Sequence, residues 1–305
     1  MPAIHWLTTP AERFEGLPGW PWPARWFAPQ GLAAGGRMAY VDTGPAAAPV
    51  TALCLHGNPA WGYLYRHMMP VFEAAGLRVV VPDLLGFGRS DKPAHEADHR
   101  WALHRGALLD LIAHLDLRNV LLVVQDWGGL FGLTLPHEMP ERFTRLLVMN
   151  TTLGLGQVSE GFRQWRTYAA GQPDLAVGKL IRRGRPELSE SEAAAYDAPF
   201  PDASYKAALR AFPPLVPDVE LHGREADGLA ASREAAVFWR ERWQGESFMA
   251  VGERDPVLGP PVMASLRRLI RGCPEPLMLP QAGHFVQEWG GPVAAAALRH
   301  FRLAT

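Results

Sequence analysis

Four short segments of the 305-residue chain carry residue types able to do covalent chemistry. In chain order they are Leu55-His56-Gly57-Asn58-Pro59, Val123-Val124-Gln125-Asp126-Trp127-Gly128-Gly129, Gly252-Glu253-Arg254-Asp255-Pro256 and Pro280-Gln281-Ala282-Gly283-His284-Phe285. In the second, an apolar run meets an acid and two glycines follow. That is the strand–turn–helix shape of a nucleophile elbow, with Asp126 where serine usually stands. The glycines permit a sharp turn, and the helix N-terminus brings N–H groups and positive dipole character to the carboxylate. Taken alone, the segment is equally an Asp capping a helix in any α/β sheet. His56 follows an apolar run and reads as a residue ordering its turn rather than as a base.

The order of the segments narrows the reading. Asp126, then Asp255, then His284 is nucleophile, acid, base, the order of an α/β-hydrolase triad. Each lies just after an apolar run, and open α/β sheets place their sites at the ends of their strands. An aspartate nucleophile restricts the reaction further. Serine alkylated by a carbon electrophile would give an ether that water does not readily cleave, whereas a carboxylate gives an ester that activated water hydrolyses. Carbon–halogen cleavage and epoxide opening are the two natural chemistries.

The elements that must position these residues are legible as runs. Segments 50–55, 77–81, 120–124, 145–149, 247–251 and, more weakly, 276–280 are short, apolar on both faces and bounded by turn residues, which predicts central strands of a parallel sheet. Segment 37–41 alternates and predicts an edge-side strand. Helices are expected at about 64–75, 101–115, 129–139, 260–271 and 292–303, so strand and helix alternate as in an α/β fold. From about 153 to 230 no strand-like run occurs. Ser189 to Tyr196 opens with a capping-box pattern, and Pro199, Pro201, Pro213, Pro214 and Pro217 punctuate the rest. A helical insert between two strands is expected there.

Composition excludes other classes. Lys plus Arg is 30 and Asp plus Glu 31, a net charge of −1, which argues against nucleic-acid and polybasic membrane binding. A hydrophobic fraction of 48% supports a large core. No apolar run approaches the ~18 residues of a membrane span. The N-terminal thirty residues lack a signal-peptide pattern, and the two cysteines, Cys54 and Cys273, read as thiols in a reducing compartment, so a cytoplasmic protein is expected. His95, Asp98, His99 and His104 match no zinc spacing and read as a solvated face. Gly86-Phe-Gly88 and Gly154-Leu-Gly156 lack the third glycine of a dinucleotide fingerprint. Glu187, Glu190 and Glu192 read as the exposed face of a helix.

The motifs His56-Gly-Asn-Pro59, Pro82 to Pro93, Gln125-Asp-Trp-Gly-Gly129, Gly252-Glu-Arg-Asp255 and Ala282 to Glu288 resemble those of the haloalkane dehalogenases, over nearly the whole chain. The resemblance implies an α/β-hydrolase fold: a mostly parallel eight-stranded sheet flanked by helices, with a helical cap inserted after strand six. It divides the chain into a main domain (1–152 and 229–305) and a cap (153–228). One branch of the family carries the triad acid after strand seven, as Asp255 stands here. Strand six ends in Asn150, without a carboxylate.

A leaving halide is a diffuse anion suited to neutral N–H donors. The resemblance assigns that role to Trp127 and, through Gly161-Phe-Arg-Gln-Trp165, to Trp165, with Asn58 adding a third donor through its side chain. The backbone N–H groups of Asn58 and Trp127 are expected to form the oxyanion hole. Phe162, Phe212, Pro213 and Leu258 are expected in the substrate pocket. The implied reaction turns a 1-haloalkane and water into a primary alcohol and halide, with no metal or cofactor, in a monomer. An epoxide hydrolase with the same triad is the alternative, drawing its acid from Tyr168, Tyr196 or Tyr205. A fluoroacetate-type dehalogenase would need cationic residues for the substrate carboxylate, and the residue after the nucleophile is Trp127 rather than Arg. A non-catalytic receptor on this fold usually loses a triad member, and none is missing here.

Overall fold

The computed structural model describes residues 3–303. Eight strands form one sheet: β1 (Arg25–Phe27), β2 (Met38–Thr43), β3 (Thr51–Leu55), β4 (Arg78–Pro82), β5 (Val120–Gln125), β6 (Phe143–Met149), β7 (Glu246–Gly252) and β8 (Leu277–Leu279). Their spatial order is β8-β7-β6-β5-β3-β4-β2-β1. All pairs from β8 to β4 are parallel, while β2 runs antiparallel to both β1 and β4. β3 and β5 are buried along their whole length. Helices cover both faces of a parallel sheet, so such strands carry no polar side to alternate with.

Register brings the chemistry to one edge. Leu55 pairs with Val124 and Gln125 with Met149, so β3, β5 and β6 end side by side, and Gly252 pairs with Leu279 at the end of β7. The segments carrying Asn58, Asp126, Asn150, Asp255 and His284 all leave the sheet at that edge.

Helices α1 (Met69–Ala74), α2 (Trp101–His114) and α3 (Asp126–Gly132) lie among the first six strands. Between β6 and β7 the regular structure is helical: α4 (Glu160–Ala170), α5 (Val177–Gly184), α6 (Glu190–Asp197), α7 (Ala207–Leu215), α8 (Val219–His222) and α9 (Leu229–Val237). Ser189 caps α6 in a capping box: its hydroxyl accepts the Glu192 N–H and the Glu192 carboxylate accepts the Ser189 N–H. α10 (Pro260–Leu269) and α11 (Gly290–His300) flank the last strands.

Three expectations are corrected. β1 was not anticipated: it is three residues long with only Phe27 buried, too short and too exposed to leave a periodic signature. The helix expected at 129–139 begins on Asp126 and ends at Gly132, where Thr134 Oγ1 caps the Phe131 carbonyl at 2.6 Å. His99 and His104 are not solvated but buried, ring against ring, with His99 Nδ1 3.0 Å from His104 Nε2. Phe212 of α7 packs on both, which a reading of local polarity could not anticipate.

One buried charge network ties the helical insertion to the sheet domain. Arg66 donates to both oxygens of Glu288 at 2.8 Å, and Tyr196 of α6 donates to the same carboxylate. Both charged side chains are nearly inaccessible, at 2% and 1%. Glu192, rather than lying on a wholly exposed face, reaches Arg66 at 3.3 Å. Removing one partner of such a pair strands the other charge in the interior. Glu288→Ala is therefore expected to lower the unfolding free energy by about 3–5 kcal/mol in chemical denaturation, and a compensating Arg66→Met to restore part of it. A loss under about 1 kcal/mol would show the pair to be solvated.

Candidate active site

Asp126 sits at the junction of β5 and α3 with φ of 51°, in the left-handed region that side chains other than Gly, Asn and Asp rarely enter. That backbone costs of order 1–3 kcal/mol and lifts the carboxylate out of the sheet edge. The neighbours are cut to fit it. A Cβ on Gly57 would stand 2.1 Å from Asp126 Oδ1, and one on Gly128 would stand 1.9 Å from the Leu55 carbonyl oxygen. Only glycine allows the β3 loop and α3 to approach so closely. The Asp126 N–H donates to the Asn150 carbonyl at 3.0 Å, and Thr151 Oγ1 donates to the Asp126 carbonyl at 2.6 Å.

The two carboxylate oxygens of Asp126 have different surroundings. Oδ1 accepts the backbone N–H of Asn58 at 2.8 Å. Oδ2 lies 3.4 Å from His284 Nε2. His56 plays no part: its Nε2 accepts the Leu84 N–H at 2.9 Å, and burial lowers its pKa, so it orders the turn as a neutral ring.

His284 Nδ1 lies 2.8 Å from Asp255 Oδ2. Asp255 is saturated with donors, because Asn150 Nδ2 also reaches Oδ2 at 3.0 Å and the N–H groups of Val257 and Leu258 reach Oδ1 at 2.8 and 3.1 Å. Burial alone would raise this carboxyl, but the facing imidazole and these donors outweigh it and hold it near 2. Burial would likewise lower His284, yet Asp255 on one side and Asp126 on the other raise it to about 10. The Gln125 amide nitrogen lies 3.0 Å from His284 Nε2 and donates to the His284 carbonyl at 3.0 Å. It can donate to Nε2 in the neutral ring, whereas a protonated Nε2 turns its hydrogen to Asp126.

A cavity of about 730 Å³ opens over Asp126 and His284. Trp127, Trp165, Asn58, Phe162 and Leu258 line it. Neither indole N–H of Trp127 or Trp165 is bonded to a protein acceptor among the described residues. Phe212 and Pro213 are placed differently from the expectation. Phe212 is fully buried behind Trp127, with ring centroids 4.7 Å apart, and Pro213 is buried beside it. They back the wall rather than form it. Asn58 Oδ1 is buried without a partner.

Asn150 and Gln125 were not singled out as functional from sequence. Both are polar residues at the ends of otherwise apolar strands, and that position was the available signal.

The fold and this arrangement define an α/β-hydrolase, and residues 52–291 match the model of the alpha/beta hydrolase fold family. A haloalkane dehalogenase from Mycolicibacterium paratuberculosis is 38% identical over 308 residues, covering 99% of each chain. One from Psychrobacter cryohalolentis is 39% identical over 97% of each. The tetrameric haloalkane dehalogenase DpaA from Paraglaciecola agarilytica NO2 superposes with a TM-score of 0.93 at 45% identity, covering 97% of this chain and 98% of that one. The chain belongs to the haloalkane dehalogenase family.

Because both flanking carboxylates raise His284, removing the charge at position 126 must lower it. Asp126→Asn is expected to move the imidazole titration, followed by NMR, to lower pH than in the unaltered protein. An unmoved titration would mean that Asp126 does not act on this ring.

Proposed function

We propose that this protein hydrolyses carbon–halogen bonds of haloalkanes through an ester on Asp126. The observation that carries the reading is the division of labour between the oxygens of Asp126: Oδ1 rests on the Asn58 N–H while Oδ2 faces the imidazole and the cavity. Oδ2 attacks the halogen-bearing carbon in line. The new O–C bond forms as the carbon–halogen bond breaks, and the halide takes the electron pair toward the indoles of Trp127 and Trp165. Hydrogen bonds to a charged group contribute ~1.5–3 kcal/mol each, so two lower the barrier by about 3–6 kcal/mol, roughly 10²–10⁴ in rate.

Oδ1 is by then the ester carbonyl oxygen, already seated on the Asn58 N–H, with the Trp127 N–H in the first turn of α3 as the second donor. Esterification also removes the anion facing Nε2. The imidazole is thereby released as a base, takes a proton from water, and the hydroxide attacks the carbonyl carbon. Collapse of the adduct breaks the ester O–C(acyl) bond, and the alkoxide leaves as the alcohol with the proton held by His284. The remaining water proton, left on the new carboxyl group, passes through the imidazole to solvent, which restores the Asp126 carboxylate and accounts for the acid released with the halide.

Residues 153–228 serve as the cap and the remainder as the main domain. Phe162 and Leu258 contact the substrate chain, and the Asn58 side chain stands as a further halide contact. The partners are the haloalkane, the halide and water. All the proposed groups come from one chain, so a monomer suffices for the chemistry, although the Paraglaciecola relative is tetrameric. No helix among the described residues is long and apolar enough to cross a membrane. The free, buried Cys54 thiol supports a reducing, cytoplasmic setting. Epoxide opening is not favoured: Tyr168, Tyr196 and Tyr205 are absent from the cavity wall, and the Tyr196 hydroxyl is committed to Glu288.

With 1-bromobutane, His284→Phe is expected to stop after one turnover, with the Asp126 peptide heavier by a butyl group in mass spectrometry. Continued turnover would remove His284 from the role of base. Trp165→Phe is expected to lower kcat/KM for bromide release by about 10- to 100-fold, and an unchanged value would return this indole to a packing role.

A further inference from the structure

The catalytic end of the cavity is lined by Trp127, Leu258 and Phe285, all buried, but its solvent-facing end is not neutral. Four charged residues line it where it opens: Arg183 and Arg185 at the end of α5 and just beyond it, Glu187, and Arg254 of the β7 loop. Only one of the three arginines is neutralised. Arg185 lies 3.5 Å from Glu187 and stacks on Trp289 at 4.3 Å. Arg183 donates to the neutral hydroxyl of Tyr168 at 3.1 Å, and Arg254 donates to the Pro280 carbonyl at 2.9 Å. No described carboxylate lies within ion-pair distance of either. The mouth therefore carries about two uncompensated positive charges, in a chain whose net charge is −1.

We propose that this mouth selects ω-halogenated organic acids, in which an alkyl chain separates the halogen from a carboxylate. The halogen end enters the apolar interior and reaches Asp126, while the carboxylate stays at the entrance with Arg183 and Arg254. The guanidinium fork matches a carboxylate, and a cationic entrance concentrates anions from solution. The spacer is essential. A carboxylate close to the reacting carbon would sit beside the negative Asp126, whose one facing cation, the His284 imidazolium, is already shared between Asp126 and Asp255, and Trp127 after the nucleophile adds none. Short α-halo acids are thus rejected and longer acids accepted by the same charge distribution. The inference rests on the carbon–halogen reading of this cavity and adds the chemistry of the far end of the substrate.

The test compares ω-bromoalkanoates of three to ten carbons with the primary amides of the same lengths, by bromide release at low salt. The acid-to-amide ratio of kcat/KM is expected below one for the shortest pair and about 3- to 10-fold above one for the longer pairs, carried mainly by KM. It is expected to shrink as salt is raised, to fall in Arg183→Gln, and to invert in Arg183→Glu. Arg183 is exposed and its one side-chain hydrogen bond among the described residues is to the exposed Tyr168, so these variants keep their fold. Amides that turn over while every acid is poorer, or a ratio blind to salt and to Arg183, would overturn the proposal and leave the dehalogenase reading intact. Bromide release from neither series would overturn that reading instead.

Discussion

A carboxylate standing at the end of β5 with a left-handed backbone is the constraint around which this molecule is arranged. Its φ of 51° is tolerable only because the surroundings overdetermine it. The backbone of Asp126 is held at both ends, its N–H by the Asn150 carbonyl and its carbonyl by Thr151 Oγ1. Gly57 lets the β3 loop close on the Asp126 side chain, and Gly128 lets the first turn of α3 close on the Leu55 carbonyl, to distances no side chain would permit. The parallel register of β3, β5 and β6 brings these three suppliers to one edge. Strand order, glycine placement and the geometry of one side chain are thus a single requirement seen at three scales.

The same edge separates the three ionisable groups by environment. Asp255 and Asp126 are both aspartates flanking one imidazole, yet their surroundings differ sharply. Asp255 accepts four hydrogen bonds and is held near 2, which leaves it a fixed anion through any proton transfer. Asp126 has one backbone donor on one oxygen and keeps the other toward the cavity. Two like groups set in such unlike hydrogen-bonding surroundings fit the divided roles proposed for them. Asn150 matters here because it occupies the end of β6 without charge: a second carboxylate there would repel Asp255, whereas the amide donates to it.

Much of this was legible in the chain because the strands are buried on both faces and end in turn residues. The strand ends at 55, 124, 149 and 251 were readable from apolar runs alone, and with them the order of Asp126, Asp255 and His284. What escaped has physical reasons. β1 is three residues long with one buried side chain, so it had no period to detect. The burial of His99 and His104 depends on Phe212, more than a hundred positions away, and the place of Phe212 behind Trp127 is likewise a long-range contact. The Arg66–Glu288–Tyr196 cluster joins three distant segments, and no local pattern in any of them announces the other two. Local pattern reports periodicity and turns; long-range packing is written in no window of sequence.

The misplaced aromatic also explains how the two indoles differ. Trp127 is pinned by Phe212, Phe131 and Trp101 at 4.7, 5.0 and 5.7 Å and is 3% exposed, so its N–H is held in one direction relative to Asp126. Trp165 stands half-buried on α4, an eleven-residue amphipathic helix of the insertion whose nearest aromatic partner is the exposed Tyr168. A donor aimed at charge that appears only in the transition state is most effective when it needs no reorganisation. A donor that must also let the product anion go gains from an element able to move. The proposed halide cradle thus joins a closely packed half, supplied by the residue next to the nucleophile, to a less buried half supplied by the insertion. On that proposal the halide forms against the packed indole and leaves past the less buried one, away from the sheet edge that holds Asp126.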